Sequence, residues 1–262
     1  YADVVVGADK YTAGELEEGA AFVFHGGPFG IQSFGPTIPS AVLESNQPGA
    51  EMGHSVAGAG DVNGDGFADV IVGAHFFDAG QSDEGAAFVY IGGAEGVRSG
   101  TPFTAQTTLQ SNQTNAELGA SVAGAGDVNG DGVSDVIVGA PGYDAGQFDE
   151  GAAFVFLGSQ SGIPNGTPST ADATLQSDQA GARLGHSVAG AGDVNGDGYG
   201  DVIVGAYDYS AGQSTEGAAF VFHGGPAGIS SGSPATANST LQSDQVQSRF
   251  GIRVSGLGDV NG

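Results

Sequence analysis

The chain has 262 residues, with 50 glycines and neither cysteine nor tryptophan. Its 30 acidic and 5 basic side chains give a formal charge of -25, which excludes nucleic acid and anionic membrane surfaces as partners, since both require Lys and Arg. The absent cysteines exclude disulfides, thiol catalysis and Cys-ligated zinc, and no run approaches the ~20 apolar residues of a membrane span.

The string GDVNG occurs four times, with its Asp at Asp61, Asp127, Asp193 and Asp259, a constant step of 66 residues. No insertion breaks the register: Phe22, Phe88, Phe154 and Phe220 align, as do Leu43, Leu109, Leu175 and Leu241. The pattern divides a single region, 1–262, into units of about 1–48, 49–114, 115–180, 181–246 and a partial 247–262. The first residues carry no basic-plus-apolar leader, which fits either a processed start or an internal piece.

Within one period the first predicted strand is Ser55–Gly60, built almost wholly of small residues. The loop Asp61–Asp69 follows, then a second strand, Val70–Ala74, a continuous apolar run suited to burial on both faces. A polar connection, Phe77–Glu84, leads to a third strand, Gly85–Ile91. A longer Gly/Ser/Thr/Pro connection leads to a fourth, Thr107–Ser111. No segment carries helical periodicity. Four short strands per repeat make one blade of a β-propeller, the expected all-β fold. Small first strands suit a crowded axis. A linear β-solenoid is the alternative, and 66 residues would be long for its rung. Closure of four blades would make Arg253–Gly258 the inner strand of the blade begun at Val4.

The loop carries the chemistry. Oxygen side chains stand at loop positions one, three, five and nine, with Gly at six where an oxygen-ligand loop turns. The expected calcium ligands are Asp61, Asn63, Asp65, the Phe67 carbonyl and Asp69. The second loop offers Asp127, Asn129, Asp131, Val133 and Asp135, and the third offers Asp193, Asn195, Asp197, Tyr199 and Asp201. The loop is not an EF-hand, because position twelve is Val72, Val138 and Val204 rather than a bidentate Glu. Hairpin turns explain the glycines, but not three Asp and one Asn within nine residues, three times over. Three bound Ca2+ would change the formal charge from -25 to -19, two charges per ion. A fourth loop is split between the termini, with Asp259 and Asn261 at one end and Tyr1 and Asp3 at the other. Closure of the chain on itself would leave this site weak, whereas a continuing or neighbouring chain would complete it.

These loops stand in register with Gly139-Ala140-Pro141 and its looser copies, and with Met52-Gly53, Leu118-Gly119, Leu184-Gly185 and Phe250-Gly251. The pairing resembles the FG-GAP repeat family, the integrin alpha-subunit propeller. The resemblance implies calcium held by the loop residues above, and the family's usual ring has seven blades. It implies an extracellular or cell-surface adhesion or ligand-binding module for an unknown protein or glycan, its calcium structural. The indel-free repeat also fits a surface layer or filament that self-assembles through the split loop. A polysaccharide-acting enzyme is the least favoured reading, because no nucleophile–base–acid set stands out.

Glu18, Glu84, Glu150 and Glu216 recur before the third strand, and Tyr11, Phe77, Tyr143 and Tyr209 share another position. A blade-capping hydrogen bond and an inter-blade packing anchor are expected of them, with a ligand rim as the alternative. The five histidines recur in no fixed position and form no visible cluster, so surface or packing roles are expected. Formal glycosylation sequons at Asn112, Asn165 and Asn238 fall in expected surface connections.

Overall fold

The computed structural model describes residues 1–31 and 38–261; Gly262, the last residue of the fourth GDVNG, lies outside them. The described residues form an all-β propeller architecture of successive antiparallel sheets. Sheet I holds β1 (Val4–Ala8), β2 (Ala20–Phe24) and β3 (Ala41–Glu44). Sheet II holds β4 (Ser55–Gly60), β5 (Asp69–Ala74), β6 (Ala86–Tyr90) and β7 (Thr107–Gln110). Sheet III holds β8 (Ser121–Gly126), β9 (Asp135–Ala140), β10 (Ala152–Phe156) and β11 (Ala173–Gln176). Sheet IV holds β12 (Leu184–Gly192), β13 (Asp201–Ala206), β14 (Ala218–Phe222) and β15 (Ser239–Gln242). Each sheet is a meander in chain order, as expected of a propeller blade. Helical structure is confined to two 3-10 turns, Pro102–Thr104 and Pro168–Thr170.

The first strands of neighbouring sheets pack on one another, which explains their composition. A Cβ on Gly124 would stand 2.8 Å from the Gly58 carbonyl oxygen, and one on Gly190 2.6 Å from that of Gly124. Only glycine permits that approach. The apolar second strands lie between sheets, so every residue of β5 and β9 is buried. Phe88, Phe154 and Phe220 are fully buried and anchor three apolar clusters.

The recurrent aromatic ring packs edge-on against the Phe of its own sheet, as in Phe77 on Phe88 (5.3 Å, 80°) and Tyr143 on Phe154 (5.2 Å, 84°). It therefore anchors the blade internally rather than between blades. The recurrent Glu caps the blade as expected. Glu84, fully buried, accepts the Gln81 amide on Oε1 (2.9 Å) and the Asn112 amide on Oε2 (2.8 Å). Burial on these partners leaves no part of this Glu for a ligand rim. Of the sequon asparagines, Asn238 directly precedes β15, so its triplet runs into a strand rather than lying in a connection.

Closure by Arg253–Gly258 does not occur, since β1 pairs only with β2 among the described residues. The 253–258 segment lies instead along β12, where Val254 N–H donates to Ser187 Oγ at 3.0 Å. That repeats the contact of Val122 N–H with Ser55 Oγ, so the segment extends the stack in the same sense instead of turning back to sheet I. The two flanks are correspondingly uncovered. Leu43, Leu109 and Leu175 are fully buried under the next repeat, but their counterpart Leu241 is 45% exposed, and Val6 on β1 is 50% exposed.

Candidate metal centres

Each nine-residue loop joins the first and second strands of a sheet. In loop 61–69, Asp61 Oδ1 accepts the Asp65 amide at 3.1 Å and Asp61 Oδ2 accepts the Gly66 amide at 2.8 Å. Asn63 Oδ1 accepts the same Asp65 amide at 3.0 Å, and Asn63 Nδ2 donates to Asp65 Oδ2 at 3.0 Å. Asp65 Oδ1 accepts the Phe67 amide at 2.9 Å. Loops 127–135 and 193–201 repeat the set, adding the Gly130 and Gly196 amides to Asp127 and Asp193. Positions one, three and five therefore gather their oxygens around one tight turn, with positive φ at Gly64 (70°) and Gly66 (90°).

Position nine is held differently. Asp69 is buried, its Oδ2 accepting Val62 N–H inside the loop at 2.8 Å and its Oδ1 accepting Gly92 N–H beyond β6 at 2.7 Å. Asp135 does the same with Val128 and Gly158 (both 2.8 Å), and Asp201 with Val194 (2.8 Å) and Gly224 (2.9 Å). Asp3 accepts Gly26 N–H at 2.8 Å in the matching place, while Asp259 Oδ1 accepts Asn261 N–H at 3.2 Å. No strand pairing brings these two halves of the split loop together among the described residues.

Burial pushes the Asp135 carboxyl up to about 6, with two backbone amides opposing and Asp131 and Asp127 adding like-charge repulsion. Asp69 is raised for the same reasons in the same order. Exposed Asp193 is lowered, mainly by the Gly198 amide. A turn of clustered oxygens with a buried carboxyl under like-charge pressure fits a hard divalent cation.

The histidines depart from their expected roles. Glu51, His54 and His75 are, among the described residues, the one group of three His or carboxylate side chains whose ligand atoms all lie within 4.8 Å of one another. Burial, then the His54 charge, lowers the His75 pKa to about 3, so its ring is neutral at ordinary pH. Sequence reasoning missed this group, although a signal was present: all three residues break the repeat, their counterparts being Arg183, Ala120 and Pro141 or Tyr207 in other copies.

The two halves of the recurrent signature meet in space. Gly53 N–H donates to the Gly73 carbonyl and Gly119 N–H to that of Gly139, both at 2.9 Å. Met52, Leu118 and Leu184 bridge back to Gly19, Gly85 and Gly151 of the preceding repeat. The profile of the FG-GAP repeat matches residues 52–90, 118–156 and 184–222. The chain carries three FG-GAP repeats. Each matched stretch begins at the bridging residue and ends with the third strand of its blade. Integrin alpha-5 of Xenopus laevis is 31% identical over 170 residues, covering 63% of this chain and 15% of that protein. Integrin alpha-IIb of Homo sapiens is 33% identical over 170 residues, covering 63% and 16%. Integrin alpha pat-2 of Caenorhabditis elegans is 37% identical over 191 residues, covering 68% and 14%. The chain thus spans 14–16% of the length of these three relatives.

Proposed function

We propose that this FG-GAP region is a non-catalytic, extracellular adhesion or ligand-binding module whose three complete loops each hold one structural Ca2+. The observation that carries the reading is the threefold loop, in register with FG-GAP signatures shared with integrin alpha chains. Asp61, Asn63, Asp65, the Phe67 carbonyl and Asp69 would hold the first ion, with the matching residues of the next two loops holding the others. Oxygen ligands from a strand–loop–strand turn suit calcium better than magnesium, which demands a rigid octahedron. The ion would neutralise the carboxylates and pin the first strand to the second. The blade faces would then be free to present loops to a protein or glycan.

Isothermal titration of chelated protein with calcium tests the metal reading: three ions per chain are expected, and fewer than three overturn it. Retention of chain-coated beads on immobilised glycans and matrix proteins tests the adhesion reading. Calcium-dependent retention supports it, and none on any surface overturns it.

A further inference from the structure

The junction between sheets I and II holds a group that the calcium loops do not use. Glu51 and His54 precede β4, His75 follows β5, and Asp9 follows β1. His75 is 7% exposed and stacks on the His54 ring at 4.0 Å and the Phe76 ring at 3.9 Å. Neither of its nitrogens has a hydrogen bond. Nδ1 is buried without a partner, and Nε2 stands 3.7 Å from Glu51 Oε2, beyond hydrogen-bond reach. A neutral imidazole carries one N–H and one lone pair, and a buried ring that satisfies neither is costly.

The spacing suggests what is missing. Two ligands on a tetrahedral ion at ~2.1 Å stand about 3.4 Å apart. The His75–Glu51 gap is close to that, and His54 lies within the same 4.8 Å. Asp9 Oδ2 lies 3.5 Å from His54 Nδ1, the outer-sphere carboxylate that fixes a ligating histidine and leaves Nε2 to the metal. Lys10 pairs with the other Glu51 oxygen and also reaches Glu17 Oε2 at 3.3 Å, so a second carboxylate is there to take it. Two imidazoles and a carboxylate select a borderline transition ion over calcium.

We propose that Glu51, His54 and His75 form a site for one Zn2+ or similar transition-metal ion at the sheet I–sheet II junction, with Asp9 as its positioning residue. The fourth coordination position would be left to water or to a ligand atom, since Asp9 is engaged by His54. The site is unique to this junction. The corresponding residues are Glu117, Ala120 and Pro141 at the next junction and Arg183, His186 and Tyr207 at the one after. It would clasp two blades at a point where the loop ions do not reach.

The test is zinc competition against a chromophoric chelator, with the full chain in saturating calcium. One zinc ion per chain is expected. His54→Ala, at an exposed position, should weaken it more than tenfold. Asp9→Asn should weaken it about tenfold, and His223→Ala should leave it unchanged. Cobalt(II) in place of zinc should give the intense visible bands of a four-coordinate ion, lost in His54→Ala. Absence of bound zinc in folded protein overturns the proposal, as does binding that is equally tight in His54→Ala. Because His54 is exposed, a folding failure of a His75 variant leaves both outcomes readable.

Discussion

Both oxygens of Asp135 accept backbone amides, one inside its loop and one from beyond the next strand, while Asp131 is exposed and serves only the turn. The two should respond differently to substitution. Asp135→Ala leaves the buried Val128 and Gly158 amides without acceptors and should destabilise the chelated protein by about 1–3 kcal/mol. Asp131→Ala should cost little in chelator and reveal its loss only in calcium. Thermal melts of both variants with and without calcium check the contrast. The proton dependence follows from the raised Asp135 carboxyl. Its stabilising protonated form is fully present below the ordinary 3.8 and is lost as pH rises through about 6. Chelated protein should therefore lose melting temperature between pH 5 and 7 through this residue, and Asp135→Asn should flatten that slope. The loop oxygens were legible from sequence because their spacing is local. The second duty of position nine was not, since its amide partner at Gly92, Gly158 or Gly224 lies 23 residues away across a strand.

The strands themselves were legible almost to the residue. Ser55–Gly60 appears as expected, and the others shift by one position, because β-branched runs and glycine punctuation recur without insertion. What sequence could not supply was the partner of each strand at the flanks, which depends on where the stack ends. At the centre, steric limits dominate. Gly190→Val would drive a side chain into the Gly124 carbonyl and should cost at least about 2–3 kcal/mol. Phe88→Ala would empty a fully buried site and should cost about 3–5 kcal/mol, read by denaturant unfolding. The His75 cluster escaped the sequence reading for a different reason. Its members are scattered over two blades, and a repeat analysis discards residues that break the repeat.

Taken as a whole, the molecule is a row of similar blades, each touching its neighbours. Calcium at a hundredfold excess over Kd stabilises by about 2.7 kcal/mol per site, so three sites should raise the melting temperature by roughly 15 °C or more. A melt indifferent to chelator would contradict three bound ions. Protection should also be graded along the row. The second strands β5 and β9 of the central sheets are wholly buried, whereas every residue of β15 is exposed. Hydrogen exchange should release β15 first and β5 and β9 last.

Successive repeats are joined by the same clasp. Gln47 brackets Asp78 with Nε2 to its carbonyl (3.0 Å) and Oε1 from its amide (2.7 Å). Gln113 does this to Asp144 and Gln179 to Ser210. Only backbone groups of the receiving loop are held, so the clasp is blind to which repeat follows. The length of such a protein is quantised: whole repeats of 66 residues can be spliced in or out with every junction restored, while any other increment leaves one clasp closing on the wrong loop.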